Sequence, residues 1–369
     1  MKTVFHIITH FDVGGAERVA LNIAKSDTED FEYHVVEVVR GRSDYTHSFI
    51  SEMEACGIQY HRSYVPVIPF HYLFERIAAL LFPLWFIFIF LKFRPQVIHC
   101  HTEIPEMATC CFFSLFPWLL KRCSVVRTIH NTKLWTGMEI VGPKVEKFMQ
   151  RQRSNIAISE SVQQNYYEQY GEEPPIVFNG VAPQPQKVYA PLVEGRCNVL
   201  FAGRFEEQKG VDVLADIITG LSDDIRYYFY VIGDGRQKEY LIRSLVNQQN
   251  VSILPPVYGL SAFLASFDYL LMPSRHEGLS MLAIEASFQQ LPVIINNCLG
   301  LSDTLPEDWP LKVNNNRLGE YMNIFKSVLP VTDRVALGTR ARTFAEQHFG
   351  LRQMQTNYEK IYNEKLKQS

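Results

Sequence analysis

The feature that most restricts the fold is a repeated opening, in which an apolar strand runs into a short polar loop and then into an amphipathic helix. It occurs first at Thr3 to Thr9, followed by a loop with Gly14 and Gly15 and a helix carrying Val19, Leu21, Ile23 and Ala24. It occurs again at Asn198 to Gly203, followed by the loop Arg204 to Lys209 and the helical stretch Val211 to Ile218. Strand, loop and crossover helix form the unit of a doubly wound parallel sheet, whose ligands collect at strand carboxyl ends beside helix N-termini. Two such openings in 369 residues predict two Rossmann-like α/β domains facing one another across a cleft, since so long a chain exceeds one ordinary core.

The loop after the first strand lets backbone amides approach a ligand closely, but it is not G-x-G-x-x-G and predicts no dinucleotide site. A net charge of −3 offers no field for nucleic acid. Seven cysteines at irregular positions, without C-x-x-C, fit a reducing compartment and no metal framework. The opening MKTVFHIITHF lacks the apolar core and cleavage site of a signal peptide, so a cytoplasmic protein is expected. His99, Cys100 and His101 alternate along a strand spanning Gln96 to Cys100. Neighbours in a strand point to opposite faces, so the three cannot converge on one ion and no metal is expected.

The uninterrupted apolar run Ile77 to Leu91 contains Pro83 and falls short of the roughly 20 residues that span a bilayer. It reads as a buried crossover helix of the first domain. It also reads as a surface dipping into the membrane interface, aided by Phe112, Phe113, Phe116, Trp118, Lys121 and Arg122. Pro183, Pro185 and Pro191 mark a linker between the domains.

The densest stretch is Met272 to Gly300. A buried strand ends before Pro273 and Ser274, a loop carries Glu277 and Gly278, and Ser280 has the character of an N-cap for a helix through Glu285. Glu285 then lies roughly 7 Å along the helix axis from Ser280, so the two carboxylates can address two parts of one elongated ligand.

These motifs resemble the retaining glycosyltransferases of family 4, which have the GT-B fold. The resemblance rests on P-S-x-x-E-G with Glu277 and Glu285 and on G-R-x-x-x-x-K-G from Gly203 to Gly210. It also rests on G-G-x-E from Gly14 to Glu17, on T-x-H ending at His130, and on the turn Gly233-Asp234-Gly235. It implies that Glu277 meets the donor sugar, that Glu285 meets the ribose, and that the amides of Gly278, Leu279 and Ser280 meet the diphosphate. Arg204 and Lys209 would grip that diphosphate, Gly14, Gly15 and Gly233 would border the donor, and His130 would reach toward the donor sugar or the acceptor. Departures are Pro255-Pro256 beside the base, Gln289-Gln290 before Pro292, and Leu299-Gly300 where the family has a glycine pair.

The domains implied are 1–182 for the acceptor, 183–348 for the donor, and a final helix in 349–369 that packs back on the first. Within the first, Pro174 to Val181 would be the last strand. The expected activity is metal-independent transfer of a hexose, with retention, from a nucleotide-sugar donor, UDP most of all. The acceptor would be a glycan or polyprenyl-diphosphate-linked glycan of a bacterial surface polysaccharide. No cofactor is expected, and a peripheral contact with the inner face of the cytoplasmic membrane stays open. So do a nucleotide-sugar epimerase and a non-catalytic subunit of the same fold.

Overall fold

The computed structural model describes residues 1–12, 14–67, 71–190 and 192–368; Pro191 of the expected linker lies outside them. The chain divides into two compact units, 1–180 with 351–369, and 181–350. The changeovers thus fall at 180 and 350, where the sequence suggests 182 and 348.

The first unit holds a parallel sheet of β1 (Lys2–Ile8), β2 (Phe31–Glu37), β3 (Gln59–His61), β4 (Val97–His101), β5 (Ser124–Ile129) and β6 (Asn155–Ala157), in the order β3-β2-β1-β4-β5-β6. The second unit repeats the plan with β7 (Cys197–Ala202), β8 (Tyr227–Ile232), β9 (Val251–Leu254), β10 (Tyr269–Met272), β11 (Val293–Asn296) and β12 (Lys312–Val313), in the order β12-β11-β10-β7-β8-β9. Counted from each unit's own first strand, the two orders are the same. Strand order reverses between β1 and β4 and between β7 and β10. Loops leave those neighbouring strands in opposite directions, which opens a crevice at their carboxyl ends.

The two faces of the first sheet differ in chemistry. Phe5, Ile7, Ile98 and Cys100 pack with Phe82, Phe86 and Phe112 from the helices His71–Phe93 and Glu103–Leu115. The opposite face carries His6, His99, His101 and Thr128, and the C-terminal helix Leu351–Gln368 covers it through buried Tyr358 and Tyr362. That helix packs with the helix Gly15–Ala24 and with β5, so it belongs to the first unit.

Helix His71–Phe93 runs for 23 residues, and its stretch Leu73–Phe93 is long and apolar enough to cross a membrane. The apolar run read from the sequence was shorter because Glu75 and Arg76 hide the helical continuation on its N-terminal side. Ala78, Ala79, Phe82, Phe86 and Phe90 are buried, whereas Leu80, Leu84, Phe88 and Leu91 are exposed. The helix therefore crosses over the core on one side only.

Two readings of the sequence need correction. Thr136 to Arg153, rich in Lys and Arg, reads as one helix in the sequence, but the helix begins only at Gly142, because Trp135 and Gly137 both take positive φ and interrupt it. The strand expected at Pro174 to Val181 is reduced to two isolated bridges, Ile176 with Ala157 and Val181 with Gly350; Pro174 and Pro175 have no N–H to give a ladder. The edge strands β3 and β12, of three and two residues, are too short to show a period.

Candidate active site

At the switch point of the second unit, the loop after β7 carries Arg204 and Lys209, and the loop after β10 carries Glu277. Adjacent parallel strands end side by side, so residues 68 apart meet: Lys209 Nζ donates to Glu277 Oε1 at 2.6 Å. Both side chains are largely shielded, at 19% and 8% exposure. Arg204 is exposed on the same loop. The two loops are also stitched by groups the sequence did not single out. Arg275 forms a two-pronged ion pair with Asp212 at 2.8 and 2.6 Å and donates to Glu207 O, while Gln208 Nε2 donates to His276 O at 3.0 Å. Gly210 takes φ +67°, and a Cβ there would lie 2.1 Å from Pro273 O, so only glycine allows this approach.

The loop from Pro273 to Leu279 is held from below. Asn316 Nδ2 donates to Pro273 O and Asn296 Nδ2 to Ser274 O, at 3.0 and 2.9 Å. Ser280 caps the helix Met281–Phe288, its Oγ accepting from Ala283 N. Leu299 O accepts from Glu277 N and Gly300 O from Ser280 N, each at 3.0 Å. Gly300 has φ +73°, and a Cβ would sit 2.2 Å from Glu277 O; Leu299 projects outward, so the one glycine that this crossing requires is present. Cys298 lies beneath, its thiol pushed up to about 12 by burial and then by the Glu277 carboxylate. Gly278 and Leu279 lie between Glu277 and the cap, and Glu285 is on the helix that Ser280 opens, partly exposed. Gly233 follows β8 with its backbone against Gly203 and Phe205.

In the first unit, Gly14 precedes the helix Gly15–Ala24, and the Glu17 carboxylate folds back over it. His130 follows β5. Its Nε2 lies 3.0 Å from His101 Nδ1, and His101 Nε2 lies 3.0 Å from His6 Nδ1. His99 hydrogen-bonds Tyr362 and Thr128, each at 2.7 Å. Burial pushes the His6 and His130 rings down to about 3 and His99 and His101 well below the ordinary value, so all four are neutral. His10 Nδ1 and Asn131 Oδ1, beside this row, have no hydrogen-bond partner among the described residues.

The alternation along β4 does send Cys100 to the opposite face, where its Sγ meets Thr109. What spacing within one strand could not reveal is that register with β1 brings His6 to His99 and His101, the ligand atoms of the three lying within 4.8 Å of one another. Those nitrogens are already committed to one another and to Tyr362 and Thr128, apart from His6 Nε2.

Two family models match this chain, Glycosyltransferase Family 4 over residues 13–184 and Glycosyl transferases group 1 over residues 196–320. The chain belongs to glycosyltransferase family 4. An uncharacterized glycosyltransferase of Methanocaldococcus jannaschii is 30% identical over 57% of this chain and 59% of its own length. The O-antigen biosynthesis glycosyltransferase WclY of Escherichia coli is 27% identical over 42% of this chain and 43% of its own. The chain thus spans three-fifths or less of these relatives' lengths. The Anabaena protein HepE, solved in complex with UDP and glucose, superposes with a TM-score of 0.76 at 16% identity, covering 98% of this chain and all of that one. The two six-stranded parallel units are accordingly those of the GT-B fold.

Within this family 4 chain, the structure brings Lys209 and Glu277 together and sets Arg204, Gly278, Leu279, Ser280 and Glu285 on the same two loops and the helix that follows. Gly14, Gly15 and His130 belong to the other unit. Arg275, Asp212, Asn296, Asn316 and His6 escaped the sequence, and His101 was weighed there only as a metal ligand, because each acts through a partner far away along the chain.

Proposed function

We propose that this family 4 protein transfers a hexose from a UDP-sugar, with retention at the anomeric carbon, to a lipid-linked glycan in surface polysaccharide assembly. The second unit holds the donor and the first offers the acceptor. The observation that carries this is the Lys209–Glu277 pair at the switch point of the second unit. An ammonium has three donors, and Glu277 uses one, which leaves two for a diphosphate that gains charge as the glycosidic bond breaks. Arg204 on the same loop supplies a second cation, so the leaving group is neutralised by side chains without a metal ion. The acceptor oxygen bonds to the anomeric carbon on the face the diphosphate leaves, and the hydroxyl proton passes to the departing phosphate oxygen. The UDP and glucose bound by HepE and the O-antigen role of WclY support the donor and acceptor classes.

The test is a screen of nucleotide sugars for thermal stabilisation, followed by transfer from the best donor to lipid-linked acceptors. Product anomeric configuration is read by NMR, with chelator present and absent. An inverted product overturns retention, and loss of activity in chelator overturns metal independence. A protein that works at the cytoplasmic face would use the exposed row Leu80, Leu84, Phe88 and Leu91, with Lys92 at its end, to dip into the bilayer interface. Flotation with anionic vesicles checks this, and a Leu84→Ser, Phe88→Ser variant should float less.

A further inference from the structure

The row of imidazoles in the first unit is wired, and its wiring sets what His130 can do. His101 spends both ring nitrogens on its neighbours, Nε2 on His6 Nδ1 and Nδ1 on His130 Nε2, each at 3.0 Å. His6 and His101 have no exposed surface. A neutral imidazole offers one N–H and one lone pair, so a chain of three such rings has only two arrangements. In one, every N–H points outward: His6 Nδ1–H donates to His101 Nε2, and His101 Nδ1–H donates to His130 Nε2. That leaves a proton on His130 Nδ1 and a bare lone pair on His6 Nε2. In the other, every N–H points inward, His130 Nδ1 is bare, and His6 Nε2–H is stranded.

The inner end decides between them. His6 Nε2 is buried and has no partner among the described residues. A stranded N–H is the rarer defect in protein interiors, so the outward arrangement is favoured. The alternative partner for the middle ring is also removed. His99 lies tilted against His101 with ring centroids 4.1 Å apart, but its two nitrogens are occupied by Tyr362 and Thr128, which the C-terminal helix and β5 hold in place.

We propose that His101 and His6 are positioning residues that lock His130 in the Nδ1–H tautomer, so that it presents a hydrogen-bond donor rather than a base. The lock itself is independent of the transferase reading; its use in transfer rests on that reading. Used there, His130 donates to a sugar or phosphate oxygen. It does not remove the acceptor proton, which matches passage of that proton to the leaving phosphate.

Histidine 15N NMR on the full chain near neutral pH tests the lock without donor or acceptor. His130 and His101 should each show a pyrrole-like Nδ1 and a pyridine-like Nε2. A protonated Nε2 on His130 overturns the proposal, whatever the protein's activity. His101→Phe should release His130 into a mixture of tautomers and lower kcat about tenfold, with KM for the donor changed less than about twofold. The same substitution made in a His130→Ala background should cost nothing further. An equal loss in both backgrounds would make His101 merely structural and would overturn its positioning role. If His101→Phe does not fold, the spectrum of the unaltered protein still decides.

Discussion

The two units share one strand order and therefore one place for a site, yet they fill it with opposite chemistry. Between β7 and β10 stand an ammonium and a carboxylate on loops that solvent reaches, with a second ion pair, Arg275–Asp212, closing the loops together. From β1 across β4 to the end of β5 runs a row of neutral imidazoles, fully buried at His6 and His101, with no formal charge at all. Topology decides where a ligand can sit, and the side chains decide whether it is met by charge or by directed hydrogen bonds. A diphosphate needs charge. A sugar hydroxyl, neutral throughout, needs direction.

The sharpest test of this contrast lies on the other face of the first sheet, where the first unit does bury charge. Arg127 donates two hydrogen bonds to Glu146 at 2.8 and 2.6 Å and pairs with Glu106 at 2.8 Å, all three fully enclosed. Arg127→Met strands the Glu146 carboxylate, burial holding Glu106 largely in its neutral form, and urea denaturation should show a loss of about 3–5 kcal/mol. A loss below about 1 kcal/mol would mean that this unit tolerates unpaired charge, and the contrast would fail. Lys209→Ala should lower kcat by about 10²–10³ with a smaller loss of stability than Arg127→Met, since the cation acts on charge that develops during transfer and Glu277 keeps some contact with solvent. Normal turnover in that variant would remove the diphosphate role.

Acid should separate the units next. His6 and His130 titrate near 3 in the folded chain against an ordinary 6.5, so between those values the unfolded chain binds more protons. Their contribution is complete above 6.5 and is lost as pH falls toward 3. Burial lifts the Glu106 carboxyl to about 8, which acts in the other direction: its share is held at low pH and lost as pH rises toward 8. Trp85, Trp118 and Trp135 lie in the first unit and Trp309 in the second, so a Trp309→Phe protein reports the first unit by fluorescence. Its urea midpoint should fall on acidification below about pH 6.5, and His130→Phe should flatten that fall. An unchanged slope would show that the imidazole row is not what titrates. The smallest effect belongs to the second unit's surface. Arg275→Ala removes a pair whose members are 36% and 40% exposed, and should cost no more than about 1 kcal/mol by the same urea assay.

The class of fold, the two strand-loop-helix openings, the Ser280 cap and the loops bearing Arg204, Lys209 and Glu277 are legible in the amino-acid sequence. Each of these is written in a few consecutive residues, as an apolar period, a glycine or a cap, and the meeting of Lys209 with Glu277 follows once both loops are known to leave neighbouring strands. Folding in three dimensions was needed to set His6 beside His99, to spend both nitrogens of His101 on other histidines, and to close this face with Tyr358 and Tyr362. It also decided that one side of the helix His71–Phe93 stays exposed. Those outcomes depend on strand register and on which element covers which face, and contacts between residues distant along the chain leave no local pattern to read.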